Sequence, residues 1–437
     1  MKFLPSSFKN KTSIKKPVVI PSGKHTFERK FIEKGVIDIL NRLKKNGYEA
    51  YLVGGCIRDI LLGMKPKDFD IVTGAHPRQI KRLFSRCFLI GKRFRLAHVY
   101  ISHDRFVEVA TFRAASSEIK LPDGRVIQNN NIYGTIEEDV LRRDFTANSL
   151  YYNLSDSSII DYTGGFKDIK KRVLRTIGDP SVRFEEDPVR IIRAARFCAR
   201  FNFKISGSDY RAAKDKAHLI VQSNANRLLD ELFKILKCGA SARSFEYLDE
   251  FGVLSHWIPE ILPLNKKSML LQRLTQLDTA RLDDVDFSNA LLLTILFYDV
   301  FDNGILRDIK NPHDVFLAAR DIFAPIATRM RIPKKDCDRI CNILSRRIYF
   351  LDNLNKKYTP SFERRFTANE HFAEALKFYS LLAKVDANFS QGAFYWQKAK
   401  DSHDSKISYP STRGKRTVNK KKKTKGKLTS PKTGDVQ

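Results

Sequence analysis

The sequence predicts an α+β protein: a small mixed α/β head followed by an all-helical neck and body and a disordered basic tail. Three observations predict it. Short apolar runs of strand length, separated by glycine, proline and charged turns, recur over residues 50–111. Beyond residue 166 apolar residues recur at helical spacing with few glycines. From about residue 401 the chain is polar and basic, with no apolar periodicity. The divisions are 1–25, a flexible basic arm; 26–165, the head; 166–237, the neck; 238–400, the body; and 401–437, the tail.

The totals narrow the class of partner. With 437 residues the chain can build two to four domains with their own cores. Its formal net charge is +30, from 79 Lys+Arg against 49 Asp+Glu, which points to a polyanion and most simply to nucleic acid. An acidic membrane surface is the competing partner. No apolar run reaches 18 residues, so no transmembrane helix is expected. The basic N-terminus lacks an apolar core, so no signal peptide is expected either. Six cysteines are scattered without a CxxC or a zinc spacing, which suits a reduced, cytoplasmic setting.

In order along the chain, residues 1–25 are polar and proline-punctuated. Thr26 can cap a helix with Ile32, Val36, Ile39 and Leu43 on one face and Gly47 as its stop. The next stretch, residues 51–73, organises the rest. An apolar strand, Tyr51-Leu52-Val53, runs into Gly54-Gly55, then Arg58-Asp59 on a short helix, then Asp68-Phe69-Asp70 entering the apolar pair Ile71-Val72. Two glycines let backbone approach a charged ligand with no Cβ in the way. N–H groups entering a helix attract phosphate, and Arg58 adds a bidentate anion fork. Asp68 and Asp70, two apart in a strand, point to one face while Phe69 points to the other. Two hard oxygen donors on one face suit Mg²⁺. Alone, a Gly-Gly pair is most often a turn and an Asp-x-Asp a solvated loop. Together, with an arginine between them, they read as a metal-plus-triphosphate site.

This GGCIRD…DFD arrangement resembles the head of the class II nucleotidyltransferase family, which contains the tRNA CCA-adding enzymes and the bacterial poly(A) polymerases. Residues 76–84 give a second helix started by Pro77, and strands are expected at 88–90, 96–101 and 106–111. The segment 89–101 gathers Lys92, Arg93 and Arg95 near where a triphosphate would lie. It is more similar to the bacterial poly(A) polymerases than to the CCA-adding enzymes. Glu108 is a third carboxylate or a salt-bridge partner on the sheet, and stays outside the expected site. Residues 114–133 read as a flexible loop.

Residues 134–153 suit one helix, acidic at its start and basic in its middle. Within it, Arg142-Arg143-Asp144-Phe145-Thr146 resembles the family's RRDFT motif. That resemblance implies nucleotide contact for Arg143 and active-site support near sugar and metal for Asp144. Residues 159–178 give a strand end, a Gly-Gly turn and a helix, similar to the family's hinge between head and neck, with Asp161, Gly165 and Asp168 at the family's spacing.

Residues 183–203 place Asp187, Arg190, Arg193 and Arg196 on a helix opened by Pro188, with Arg190 and Arg193 sharing a face. A carboxylate and a guanidinium one turn apart can read a base edge, adenine or cytosine alike. The segment resembles the family's EDxxR nucleotide-selecting helix, and 224–236 resembles its neighbour, with Arg227 and Glu231 bracing it. The body carries no catalytic constellation. Trp257 and Trp396 could stack bases, but core packing is the plainer expectation. The tail holds nine basic residues in 413–427, suited to sequence-independent phosphate contact.

The resemblance covers roughly residues 50–235. It implies template-independent addition of adenylate to RNA 3′ ends from ATP. The catalytic residues would be Asp68, Asp70 and Asp144. Asp68 and Asp70 would hold Mg²⁺. Nucleotide contacts would come from Gly54, Gly55, Arg58, Arg143, Asp187, Arg190 and Arg193. Implied partners are ATP, the 3′ ends of messenger, regulatory or decaying RNAs, and RNA-decay proteins. Three alternatives stand beside this: CCA addition to tRNA, an RNA-binding protein with an inactive head, and a membrane-surface protein.

Overall fold

The computed structural model describes residues 16–91, 96–114, 117–120, 126–129, 132–265, 268–283, 285–302, 309–351 and 358–407. The arm before residue 16, Lys92, Arg93, Arg95 and the tail from residue 408 lie outside the described residues, so the expectations placed on them are not addressed.

The head is an eight-stranded mixed sheet. In chain order its strands are β1 (Val18–Ile20), β2 (Ala50–Val53), β3 (Asp70–Thr73), β4 (Cys87–Ile90), β5 (Leu96–Tyr100) and β6 (Phe106–Thr111). A separate hairpin, β7 (Ser117–Lys120) and β8 (Val126–Asn129), precedes β9 (Tyr151–Asn153) and β10 (Ser158–Asp161). The spatial order is β1-β10-β9-β2-β3-β6-β5-β4, with β3 and β6 parallel and the other neighbours antiparallel. Helices of the head are α1 (Lys34–Lys45), α2 (Gly55–Leu61), α3 (Pro77–Leu83) and α4 (Ile136–Arg142).

The two faces of this sheet differ. Leu52, Ile71, Cys87, Ala97, Val99, Val107 and Val109 join Val36, Ile39, Leu40 and Leu43 of α1 in the head core. On the opposite face, Val53, Val72 and Tyr151 meet Val140 of α4, in a cluster that reaches from Ile160 of β10 to Ala110 of β6. Period-2 alternation in β3, β5 and β6 produces both faces.

Beyond the head, α5 (Gly165–Lys171) and α6 (Pro180–Glu186) lead to α7 (Val189–Phe201), followed by α8 (Gly207–Lys216), α9 (Ala225–Leu236) and α10 (Ser241–Glu250). Helix α7 is apolar on two sides. Ala194, Phe197, Cys198 and Phe201 complete the head core, while Val189, Ile191, Ile192 and Ala195 enter the body core. The remaining helices are built around the largely apolar Asn289–Asp302. Trp257 and Trp396 are both buried, so core packing is their role. No described helix is long and apolar enough to cross a membrane.

The structure corrects four expectations. The first helix starts at Lys34, not Thr26, because residues 29–31 form a separate 3₁₀ turn. The end of the arm is a strand: the β-branched Val18-Val19-Ile20 pairs with β10 at the sheet edge, where flanking prolines cost no ladder bond. Residues 117–120 and 126–129 pair as a hairpin, not a loop. The single helix expected over 134–153 ends at Arg142. Arg183 donates to the carbonyls of Arg142 and Arg143, and Tyr151–Asn153 is drawn into the sheet.

The Gly-Gly turn at the head–neck junction is sterically required. A Cβ on Gly165 would sit 2.0 Å from the Thr146 carbonyl oxygen. Gly165→Ala is therefore expected to lower stability by about 3 kcal/mol or more, read as a fall in Tm. An unchanged Tm would contradict the close approach.

Candidate active site

Asp68 and Asp70 are exposed and Phe69 is buried, as their alternation requires. Asp70 opens β3 and lies in register with Glu108 of the parallel β6. Glu108 lies beside the Asp pair, all three lining one groove of about 380 Å³ with Lys67, Asp104 and Arg105, and it also meets His98 Nε2 across the sheet at 3.5 Å, so both readings of it have a structural counterpart. The loss of surrounding water at the cleft wall raises the Asp70 carboxyl to about 6 although one side stays open. Glu108 pushes it further up, Arg143 opposes, and Asp68 adds to the rise. Oxygen-only donors on an open face fit a hard divalent cation that keeps water and phosphate ligands. Among the described residues no set of three His, Cys, Asp or Glu is close enough to cage an ion.

A second cavity of about 260 Å³ begins at Asp70 and Glu108 and ends at Arg113, Asp139, Arg142 and Arg143. A third, of about 500 Å³, begins at Arg142, Arg143 and Asp144 and ends at Asp187, Arg190, Arg227 and Lys234. The shared residues make one cleft, with carboxylates at one end, arginines in the middle and an aspartate–arginine pair at the other. Burial lowers the pKa of Arg113 and Arg142, neighbouring arginines add to the fall, and Asp139 opposes it. Arg142 makes no side-chain hydrogen bond or ion pair among the described residues.

Arg143 is held by Asp139 Oδ2, at 2.8 Å from Nη2 and 3.2 Å from Nε, and by the Tyr151 hydroxyl at 3.2 Å. Its Nη1 lies 3.5 Å from where a Cβ on Gly54 would stand, and Gly54 itself has φ +79°. Glycine there keeps the turn and leaves the guanidinium room. Gly55 starts α2 on the same turn.

The structure corrects the expected role of Arg58. It is 6% exposed and donates to Asp59 Oδ1 at 2.9 and 2.6 Å and to Asn148 Oδ1, while its guanidinium lies 4.0 Å from the Phe201 ring. Its fork is spent inside the protein, tying α2 to α7. Arg193 differs as well: it donates to Asp144 Oδ2 from Nε at 2.9 Å and to Glu231 at 3.2 Å. Burial alone would raise the Asp144 carboxyl, but Arg193, Asn148 and the Phe145 N–H bring it down to about 2. Asp144 thereby joins the middle of the RRDFT segment to the neck, and Arg196 completes the brace on Glu231 at 3.1 Å.

Asp187 is gripped by Arg227 at 3.1 and 2.8 Å, so Arg227 and Glu231 occupy the bracing positions expected of them. Arg190 donates to the Arg183 carbonyl at 2.7 Å and to Glu186 at 3.2 Å. Arg183 was not legible as a site residue. Its Nη2 fixes the carbonyls of Arg142 and Arg143 at 3.1 and 3.0 Å, locking the arginine strip to the helix pair that carries Asp187 and Arg190.

Asp187→Ala should raise the KM for the preferred nucleotide about tenfold to a hundredfold and erode discrimination between adenine and cytosine. Steady-state kinetics with each triphosphate measures it. Unchanged selectivity would remove Asp187 from base reading.

The chain is similar over most of its length to known proteins. Residues 50–175 match the family described as the poly A polymerase head domain. Residues 202–264 match a probable RNA and SrmB-binding site of polymerase A. Poly(A) polymerase I of Escherichia coli O6:H1 is 35% identical over 391 residues, spanning 85% of this chain and 82% of that protein. The Haemophilus influenzae poly(A) polymerase I is 33% identical over 84% of each. A Bacillus licheniformis CCA-adding enzyme is 34% identical over 50% of this chain and 53% of its own. Among solved structures, a tRNA nucleotidyltransferase complexed with a primer tRNA and an incoming ATP analog is 25% identical. It covers 84% of this chain and 99% of that one, with a TM-score of 0.61.

Proposed function

The chain belongs to the nucleotidyltransferase family of bacterial poly(A) polymerases and CCA-adding enzymes, and from that premise we propose that it is a poly(A) polymerase. It extends RNA 3′ ends with adenylate from ATP, without a template, and releases pyrophosphate. The observation that carries the reading is the single cleft joining the Asp70–Glu108 carboxylates, the Arg113–Arg142–Arg143 strip and the Asp187–Arg190 pair. A nucleoside triphosphate has the same order of parts. The relatives 33–35% identical over more than four-fifths of the chain are poly(A) polymerases, which favours ATP over a CTP-then-ATP programme.

In this proposal Asp68 and Asp70 hold divalent cations, Mg²⁺, with Glu108 as a third carboxylate beside them. The bound metal's chemistry is to acidify the RNA 3′-hydroxyl and neutralise the departing pyrophosphate. The protein does the rest. Arg143 and Arg142 orient the triphosphate so that the 3′-hydroxyl oxygen meets the α-phosphorus in line; the new P–O bond forms as the bond to pyrophosphate breaks. Asp187 accepts from the adenine N6 amine and Arg190 donates to the ring, giving a base site made of protein. Asp144, Arg193 and Arg58 keep the segments in place. A cytoplasmic setting belongs to the same proposal.

The test is single-nucleotide primer extension with Mg²⁺ on an oligo(A) primer and on a tRNA lacking its CCA end. Long ladders from ATP alone on oligo(A) are expected. Addition that requires CTP and stops at CCA on the tRNA would assign the chain to the other branch of the family.

A further inference from the structure

The sheet face that carries Asp70 and Glu108 is only half covered. The cluster under helix α4 reaches from β10 to Ala110 of β6, and among the described residues it includes none from β5 or β4. Within β4, β5 and β6 the outward positions other than Glu108 are rings or apolar groups, while Lys67, Asp104 and Arg105 line the groove beside them. His98 stands opposite Glu108 on β5 and stacks on Phe106 at 3.9 Å between ring centroids, 10° from parallel. Tyr100 lies 5.6 Å from Phe106 and 5.6 Å from Phe88 across the next strand pair. Arg86 sits over the Tyr100 ring at 5.8 Å. Phe88 is 62% exposed and Phe106 42% exposed, unusual for phenylalanines on a sheet face.

We propose that this strip is a stacking platform for the single-stranded 3′-terminal segment of the RNA primer. The inference rests on the polymerase reading for its occupant. The argument is one of continuity. The nucleotide cleft leaves Glu108 toward Arg143, so a primer whose 3′-hydroxyl is at Asp68 and Asp70 must arrive from another direction. The strip starts at the pair beside Glu108 and runs outward across two strand spacings, about 10 Å, which is room for two or three bases. Aromatic faces on an open sheet bind bases of any sequence, as an enzyme that extends many 3′ ends requires. Among the described residues of β4, β5 and β6 and Arg86 beside them, the strip carries the Arg86 guanidinium and no carboxylate beyond Glu108, which suits a stacked, phosphate-bearing strand and does not suit a basic peptide. Stacking also requires the bases to be unpaired, so the platform would favour a frayed or unstructured 3′ end.

The test uses the full-length protein. Oligo(A) primers carrying 5-iodouridine at one of the last four positions are irradiated in complex with the wild-type enzyme, and cross-linked residues are mapped by mass spectrometry. Attachment to Phe88, Tyr100 or Phe106 is expected. In parallel, the double variant Phe88→Ala, Phe106→Ala is expected to raise primer KM about tenfold or more, with ATP KM moved less than about twofold. Phe88→Tyr with Phe106→Tyr should restore primer KM, which a purely structural role would not require. Cross-links confined to the helical body, or an unchanged primer KM, would overturn the platform. A change in oligomeric state with unchanged primer KM would make this face a protein interface and overturn it too. Cross-linking at the strip by a protein that extends no primer would instead defeat the polymerase reading and leave the platform standing.

Discussion

Asp70→Asn abolishes nucleotide addition, with a loss on the order of a thousandfold or more, while RNA affinity is retained. The substitution keeps the shape of the side chain and removes one of the two hard donors at the mouth of β3. Its effect on folding should have the opposite sign. Burial, Glu108 and Asp68 raise the Asp70 carboxyl to about 6, so the folded chain holds this proton more tightly than the unfolded chain. In metal-free buffer, stability therefore falls as pH rises from the ordinary carboxylate range through about 6. Asparagine removes that penalty, so Tm at neutral pH in EDTA should be equal or higher. Primer extension, RNA-binding anisotropy and calorimetry together read the prediction. An active variant would sink the metal assignment, and an inactive variant with a lowered Tm would make the loss one of folding.

Arg143→Ala should lower kcat/KM for ATP by about a hundredfold to a thousandfold, because Arg143 is common to the two cavities that form the cleft. It should also cost about 3 kcal/mol of stability, since Asp139 and the Tyr151 hydroxyl lose their shared donor in a mostly buried setting. Arg143→Lys separates the two effects. It keeps a charge but not the fork, so stability should recover further than activity. An ATP KM unaffected by either change would remove Arg143 from the triphosphate site.

The parts of this site legible in the sequence are those fixed by local geometry. The Gly54 turn, the shared face of Asp68 and Asp70, and the run from Asp187 to Arg193 each follow from spacing within one element. What escaped depends on partners distant in the chain. Arg58 reads as an anion fork although Asp59 beside it takes two of its donors, and the third is met only by Asn148, 90 residues later. Glu108 stays ambiguous until the parallel pairing of β3 with β6 sets it opposite Asp70. The helix expected over 134–153 fails because Arg183, 40 residues on, captures the carbonyls that would have continued it. The aromatic strip had a visible signal: Phe88, Tyr100 and Phe106 all fall on outward positions of alternating strands. That alternation says which face they occupy, but only the sheet order shows that the face is the one carrying Asp70.

The most direct measurement of the central claim is a crystal structure of the enzyme with Mg²⁺ and a non-hydrolysable ATP analogue. The account predicts metal at Asp68 and Asp70, phosphates along Arg113, Arg142 and Arg143, and adenine between Asp187 and Arg190. A triphosphate in the groove beside Asp104 and Arg105, or adenine away from Asp187, would contradict it.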